Sequence, residues 1–138
     1  MFSKPTNEQT LRVLCVDDDR DTADTLALLL EMAGFTSQAA YDGDTALAVL
    51  QEFDPEALIL DVNLPGMDGC TLATQVRSWA GPRSVPLVAL TAEPPEQVAE
   101  RIRQAGFHLH LTKPIDPDRL TALLTDLVIQ AQGPSGCR

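Results

Sequence analysis

The stretch Leu11-Arg12-Val13-Leu14-Cys15-Val16-Asp17-Asp18-Asp19 closes a short apolar run with three carboxylates. The residues after it decide the fold. Leu26, Leu29, Leu30 and Ala33 recur at i, i+3, i+4 and i+7, the spacing of one helical face. Gly34 then offers a C′ cap, and a second run begins at Phe35. Run, helix, run is a β–α–β unit, which joins two parallel strands by a right-handed crossover.

The same alternation continues to the end of the chain. Runs at 11–16, 35–40, 57–60, 85–90 and 108–111 predict five strands, and amphipathic stretches over 21–33, 44–52, 70–79, 96–104 and 116–131 predict five helices. Gly106 serves as a second helix stop, and Asp116-Pro117 reads as an N-cap followed by proline at the first helical position. Strict alternation with nearly continuous apolar strands implies an α/β fold, a parallel sheet covered on both faces. The expectation is a doubly wound (βα)5 domain with flavodoxin-like strand order 2-1-3-4-5. It spans 11–131, between tails at 1–10 and 132–138.

Size and composition agree with this. The chain has 138 residues, 44% hydrophobic and 22% charged, which suits one soluble globular domain. Aromatic residues are few, so the core is expected to be aliphatic. No apolar run approaches the roughly 20 residues a membrane helix needs, and no signal peptide opens the chain, so the expected location is cytoplasmic and no membrane partner is expected. A net charge of −10 repels phosphate backbones and argues against direct nucleic-acid binding. The three cysteines match no zinc spacing and, being odd in number, no disulfide framework.

Chemistry-bearing residues sit where the runs end: Asp17 and Asp18 after the first, Asp61 after the third, Thr91 after the fourth and Lys113 after the fifth. In an open parallel sheet the carboxyl ends of the strands form one rim, where ligands bind. Three carboxylates, a hydroxyl and an ammonium on that rim suit a divalent cation and a phosphoryl group. Carboxylates about 5 Å apart repel by roughly 3 kcal/mol per pair at an effective dielectric near 20, more than Lys113 alone offsets. Mg²⁺ binds through one or two carboxylates, waters and phosphate oxygens. Capping of the next helix by Asp18 or Asp19 accounts for one of the acids, not for Asp61.

Rival sites fit less well. A calcium loop starting at Asp17 would place Thr22 where glycine belongs and Leu28 where glutamate belongs. An aspartyl phosphatase usually carries a second acid two residues on, and here that residue is Asn63. Neither a G-x-x-x-x-G-K-[ST] loop nor a G-x-G-x-x-G turn is present.

Val16-Asp17-Asp18, the segment Asp61-Val62-Asn63-Leu64-Pro65-Gly66-Met67-Asp68-Gly69, Thr91-Ala92 and Lys113-Pro114 together resemble the receiver domain of bacterial two-component response regulators. The resemblance covers 11–128. It implies that Asp61 accepts a phosphoryl group from the phosphohistidine of a histidine kinase or a histidine phosphotransfer protein. It further implies that Asp18 and Asp61 bind Mg²⁺ directly, Asp17 through water, and Asn63 by its main-chain carbonyl, with Mn²⁺ able to substitute. Thr91, the Ala92 amide and Lys113 would contact the phosphoryl oxygens, and Lys113-Pro114 would be a cis peptide.

The resemblance also implies a signalling module rather than an enzyme with turnover. Phosphorylation would draw Thr91 inward, turn a fifth-strand residue behind it and switch contacts with a downstream protein. That residue is His110 here, where the family usually carries Tyr or Phe, and a half-buried histidine without a switching role is an equal reading. Pro94-Pro95 departs from the pattern too, and reads best as a helix start. The oligomeric expectation is a monomer, or a weak dimer through the fourth and fifth helix face. Two alternatives stand beside a free-standing regulator: a receiver excised from a hybrid histidine kinase, and a Mg²⁺-dependent phosphohydrolase.

Overall fold

The computed structural model describes residues 11–64, 66–67, 69–82 and 85–132. The expected tail at 1–10, residues 133–138 of the expected tail at 132–138 (Cys137 among them), and Pro65 and Asp68 lie outside the described residues. The elements come in the order β1 (Arg12–Val16), α1 (Arg20–Met32), β2 (Thr36–Ala40), α2 (Gly43–Phe53), β3 (Ala57–Asp61), α3 (Gly69–Ala80), β4 (Leu87–Thr91), α4 (Pro95–Ala105), β5 (Leu109–Thr112) and α5 (Pro117–Gln132). The five strands form one sheet in the order β2-β1-β3-β4-β5, and every neighbouring pair is parallel. The expected doubly wound architecture is therefore the observed one.

Successive strand residues point to opposite faces, and two apolar clusters result. Val13, Cys15, Ile59, Val88 and Leu90 pack with Leu26 and Leu30 of α1 and Leu120 and Leu124 of α5. Leu14, Val16, Leu58, Leu60 and Ala89 pack with Leu50 of α2, Leu72 and Val76 of α3, and Val98 and Ile102 of α4. Strands β3 and β4 are buried along their whole length, which is why their sequences are apolar without alternation.

Several boundaries differ from the expected ones for local reasons. β2 is an edge strand whose burial alternates, with Thr36 and Gln38 exposed, so the 35–40 run is not covered on both faces. β4 begins at Leu87, two residues later than expected. Asp61 and Thr91 are the last residues of their strands rather than the first beyond them. α2 starts earlier than expected because Asp42 caps it, its carboxylate accepting a hydrogen bond from Thr45 N at 2.7 Å. α5 runs to Gln132, one residue beyond the expected end. The predicted punctuation holds elsewhere: Gly34 and Gly106 take left-handed φ of +104° and +93°, Asp116 accepts from Asp118 N, and Pro95 opens α4. Among the described residues, no helix is long and apolar enough to cross a membrane.

His108, expected to begin β5, instead stands just before it and locks the turn to β4. Its N–H donates to Leu87 O at 2.8 Å, and its ring Nδ1 accepts from Leu87 N at 3.0 Å. That ring must be neutral to accept. Burial, and then the Arg77 guanidinium, hold its pKa below the usual histidine value. The neutral-ring bond therefore contributes fully above the unfolded pKa near 6.5, and is lost as pH falls through the lower folded value. In urea unfolding, the wild-type chain should lose stability relative to His108→Asn as pH falls below the ordinary histidine value near 6.5, because an Asn side-chain oxygen accepts without titrating. Solvent on the ring's other side limits the difference to about 1 kcal/mol. Parallel pH profiles for the two chains would exclude this role.

Candidate functional site

The carboxyl ends of β1, β3, β4 and β5 deliver their acids, hydroxyl and ammonium to one crevice. Asp17 comes directly after β1 and is 1% exposed, Asp61 ends β3 at 5% exposed, and Thr91 ends β4 fully buried. Asp18 sits beside them in solvent. Each of Asp17, Asp18 and Asp61 offers a carboxylate oxygen, and these oxygens lie within 4.8 Å of one another. Lys113 reaches in from the end of β5, its Nζ 2.8 Å from Asp17 Oδ2 and 3.2 Å from Asp61 Oδ2. The Lys113-Pro114 peptide is cis.

Local backbone turns fix these side chains. Asp17 Oδ1 accepts from Asp19 N at 3.0 Å, and Asp61 Oδ1 accepts from Asn63 N at 2.9 Å. Thr91 Oγ1 accepts from Glu93 N at 2.9 Å, and Lys113 N donates to Thr91 O at 2.9 Å. Asp19 is the acid that caps α1, accepting from Asp21 N and from the Thr22 hydroxyl. The Asn63 side chain donates from Nδ2 to Glu93 Oε2 at 2.8 Å, bridging the loops after β3 and β4.

Burial raises the Asp17 carboxyl above its ordinary pKa, with the Lys113 hydrogen bond working against it. Burial also disfavours the Lys113 charge, yet its bond to Asp17 and the fields of Asp61 and Asp17 outweigh that and raise its pKa. Both directions describe a site short of positive charge: one ammonium serves two buried carboxylates with a third nearby. Clustered carboxylate oxygens without a sulfur or imidazole donor are the donor set of a hard divalent cation. The acidic cluster fits such an ion.

His110 lies in β5 opposite Ala89, two residues short of Thr91, so it shares a sheet face with Thr91. It is half-buried and lines a hollow of about 350 Å³ with Thr112, Asp116 and Arg119. A larger groove of about 520 Å³ opens beside Lys113, lined by Leu26 and Leu29 of α1 and by Pro114, Ile115 and Pro117.

With this geometry, the known proteins that resemble the chain agree on one class. The response regulator receiver domain family matches residues 13–125. Response regulator MprA of Mycobacterium ulcerans is 36% identical over 121 residues, covering 86% of this chain and 50% of that protein. Sensor histidine kinase GacS of Pseudomonas protegens is 35% identical over 129 residues, covering 89% of this chain and 14% of that protein. The structure of chemotaxis response regulator CheY4 of Vibrio cholerae superposes with a TM-score of 0.79 at 31% identity, covering 86% of this chain and 99% of that one. The chain belongs to the response regulator receiver domain family, the signalling modules of two-component systems. It spans half of the MprA sequence and a small part of GacS.

Sequence reasoning passed over two features of the site. Gly69, the first residue of α3, lies so near β3 that a Cβ there would stand 2.3 Å from the Asp61 carbonyl oxygen. The Asp61-to-Gly69 motif contained that signal, without its steric reason. The Asn63–Glu93 bridge had no signal in spacing, since the two loops meet only once β3 and β4 are paired.

Proposed function

We propose that this receiver domain, spanning 11–131, accepts a phosphoryl group on Asp61 in a Mg²⁺-dependent step and passes the signal on through protein contacts. The observation that carries the reading is the convergence of Asp17, Asp18 and Asp61 within 4.8 Å, with Lys113 bonded to two of them. The donor is the phosphohistidine of a histidine kinase or a histidine phosphotransfer protein. An Asp61 carboxylate oxygen bonds to phosphorus as the phosphorus–nitrogen bond breaks, and the imidazole keeps that electron pair and takes up a proton. Phosphoryl transfer asks the protein mainly for positioning and for neutralisation of charge.

Asp17, Asp18, Asp61 and the main-chain carbonyl of Asn63 would hold Mg²⁺, or Mn²⁺ on the same oxygen donors. Bound there, the ion neutralises carboxylate charge and draws on the phosphoryl oxygens. Lys113 shares that task from the other side, and Thr91 and the Ala92 amide donate to the remaining oxygens. Thr91 already accepts one hydrogen bond through Oγ1, which leaves its hydroxyl proton available. His110, on the Thr91 face, is the residue that would move inward behind Thr91. The apolar groove between α1 and the β5–α5 loop adjoins Lys113, and a donor protein would rest there. The downstream contact, or a weak dimer, would use the α4 and α5 face, and the domain would act in the cytoplasm.

The test is incubation with acetyl phosphate, read by intact mass. One phosphoryl group should add in the presence of Mg²⁺ and none after chelation. An adduct that forms equally well in EDTA overturns the metal reading, and sustained release of inorganic phosphate from phosphoesters would favour a hydrolase. The match to GacS supports a second reading, a module from a hybrid kinase that accepts its phosphoryl group from the same polypeptide.

A further inference from the structure

The turn after β2 supplies no group to the crevice, yet it touches both loops that do. At its start, Ala40 O accepts from Asp17 N at 3.1 Å, which fixes the backbone of the first buried acid. At its end, Gly43 lies against Met67 of the loop after β3: a Cβ on Gly43 would stand 2.8 Å from Met67 Sδ and 3.2 Å from Met67 Cβ. That loop begins at Asp61, which accepts from Asn63 N, and it closes where Gly69 N donates to Val62 O at 2.8 Å. Between those two ties, it rests on Gly43 through Met67.

Tyr41, the chain's only tyrosine, fastens this turn from outside. Its hydroxyl donates to Asp24 Oδ1, and its ring lies beneath the Arg20 guanidinium, whose carbon is 4.3 Å from the ring centroid. Arg20 and Asp24 stand four residues apart on α1, so one helix grips the ring at its face and at its tip. The same helix follows directly on Asp17, Asp18 and Asp19. We propose that Tyr41 is a positioning residue for the cation: through the 40–43 turn it sets the separation between the Asp17 and Asp18 carboxylates and the Asp61–Asn63 loop. The inference rests on those residues holding a divalent ion. A small hard cation demands near-ideal ligand spacing, so a loosened turn costs affinity before it costs the fold.

Mn²⁺ alone is the probe, its free concentration read by electron paramagnetic resonance. Tyr41→Phe keeps the ring and every charge and removes only the bond to Asp24, so it should bind Mn²⁺ about threefold more weakly, the scale of one exposed hydrogen bond. Tyr41→Ala releases both grips and should bind about tenfold more weakly. Gly43→Ala reaches the same loop from the other side. Alanine suits the first turn of α2, but its Cβ displaces Met67, and affinity should fall as in Tyr41→Ala. With acetyl phosphate, the Mg²⁺ concentration for half-maximal rate should rise by the same factors, while the rate at saturating Mg²⁺ stays at the wild-type value. A purely structural role would lower the urea midpoint and leave the affinity alone. Wild-type affinity in Tyr41→Ala or in Gly43→Ala would overturn the positioning role and leave the cation site standing. Failure of the wild-type chain to bind Mn²⁺, or undiminished binding by Asp18→Asn, would overturn the cation reading, and this inference with it.

Discussion

Asp61→Asn, treated with acetyl phosphate and Mg²⁺, gains no phosphoryl mass. The amide is no nucleophile, and no neighbouring carboxylate can replace it. Asp17 is 1% exposed, and both of its oxygens are engaged, by Asp19 N and by Lys113. Asp18 lies in solvent, and the Lys113 ammonium bonds to Asp17 and Asp61 instead. The expected loss is complete, because neither remaining carboxylate is placed for attack. The fold should survive, because the Asn side-chain oxygen can still accept from Asn63 N and Lys113 keeps its bond to Asp17. Urea unfolding should shift by no more than about 1 kcal/mol. An adduct of undiminished size on this variant would move the acceptor elsewhere.

Gly69→Ala should damage fold and site together. The added Cβ would meet Asp61 O at 2.3 Å, Val62 Cα at 2.7 Å and Asp61 C at 3.0 Å. All three are backbone atoms, so no rotamer change relieves the contact. α3 must withdraw from β3, which strains the bond from Gly69 N to Val62 O at 2.8 Å and displaces the Asp61 carboxylate. Overpacking of this kind costs about 3 kcal/mol, read as a lower urea midpoint, with phosphorylation falling alongside. Gly34→Ala is the informative contrast, since nothing lies within 4 Å of its Cβ position and only its φ of +104° opposes the change. It should cost about 1 kcal/mol and leave phosphorylation intact. Equal behaviour of the two variants would contradict the steric account of Gly69.

These contrasts also mark what the sequence could disclose. Alternation of apolar runs with helical periodicity specified five parallel strands, because βα crossovers leave few ways to bury both faces of a sheet. The residue types at the strand ends exposed the acidic crevice, because parallel topology sends every such end to the same rim. Edges were harder. The 35–40 run reads as a strand but not as an edge: Thr36 and Gln38 are exposed in a strand whose burial alternates. Asp42 was missed as a cap because Gly43 and Asp44 blur where the α2 helix begins. The Asn63–Glu93 hydrogen bond and the His108–Leu87 lock both depend on side chains reaching across loops or strands, which no spacing in a single chain reports.

The complete burial of β3 and β4 has a consequence for time as well as for space. Amides inside those strands are released only when much of the domain opens, while the loops beyond Asp61 and Thr91 rearrange at far smaller cost. Asp61 and Thr91 are the last residues of the slow part, and Asn63 and Glu93 belong to the fast one. A charge placed on Asp61 thus falls on the seam between two clocks. Under the proposed function, the chemistry would inherit a fixed address from the sheet, and the message would leave through parts that move within the lifetime of a single native state.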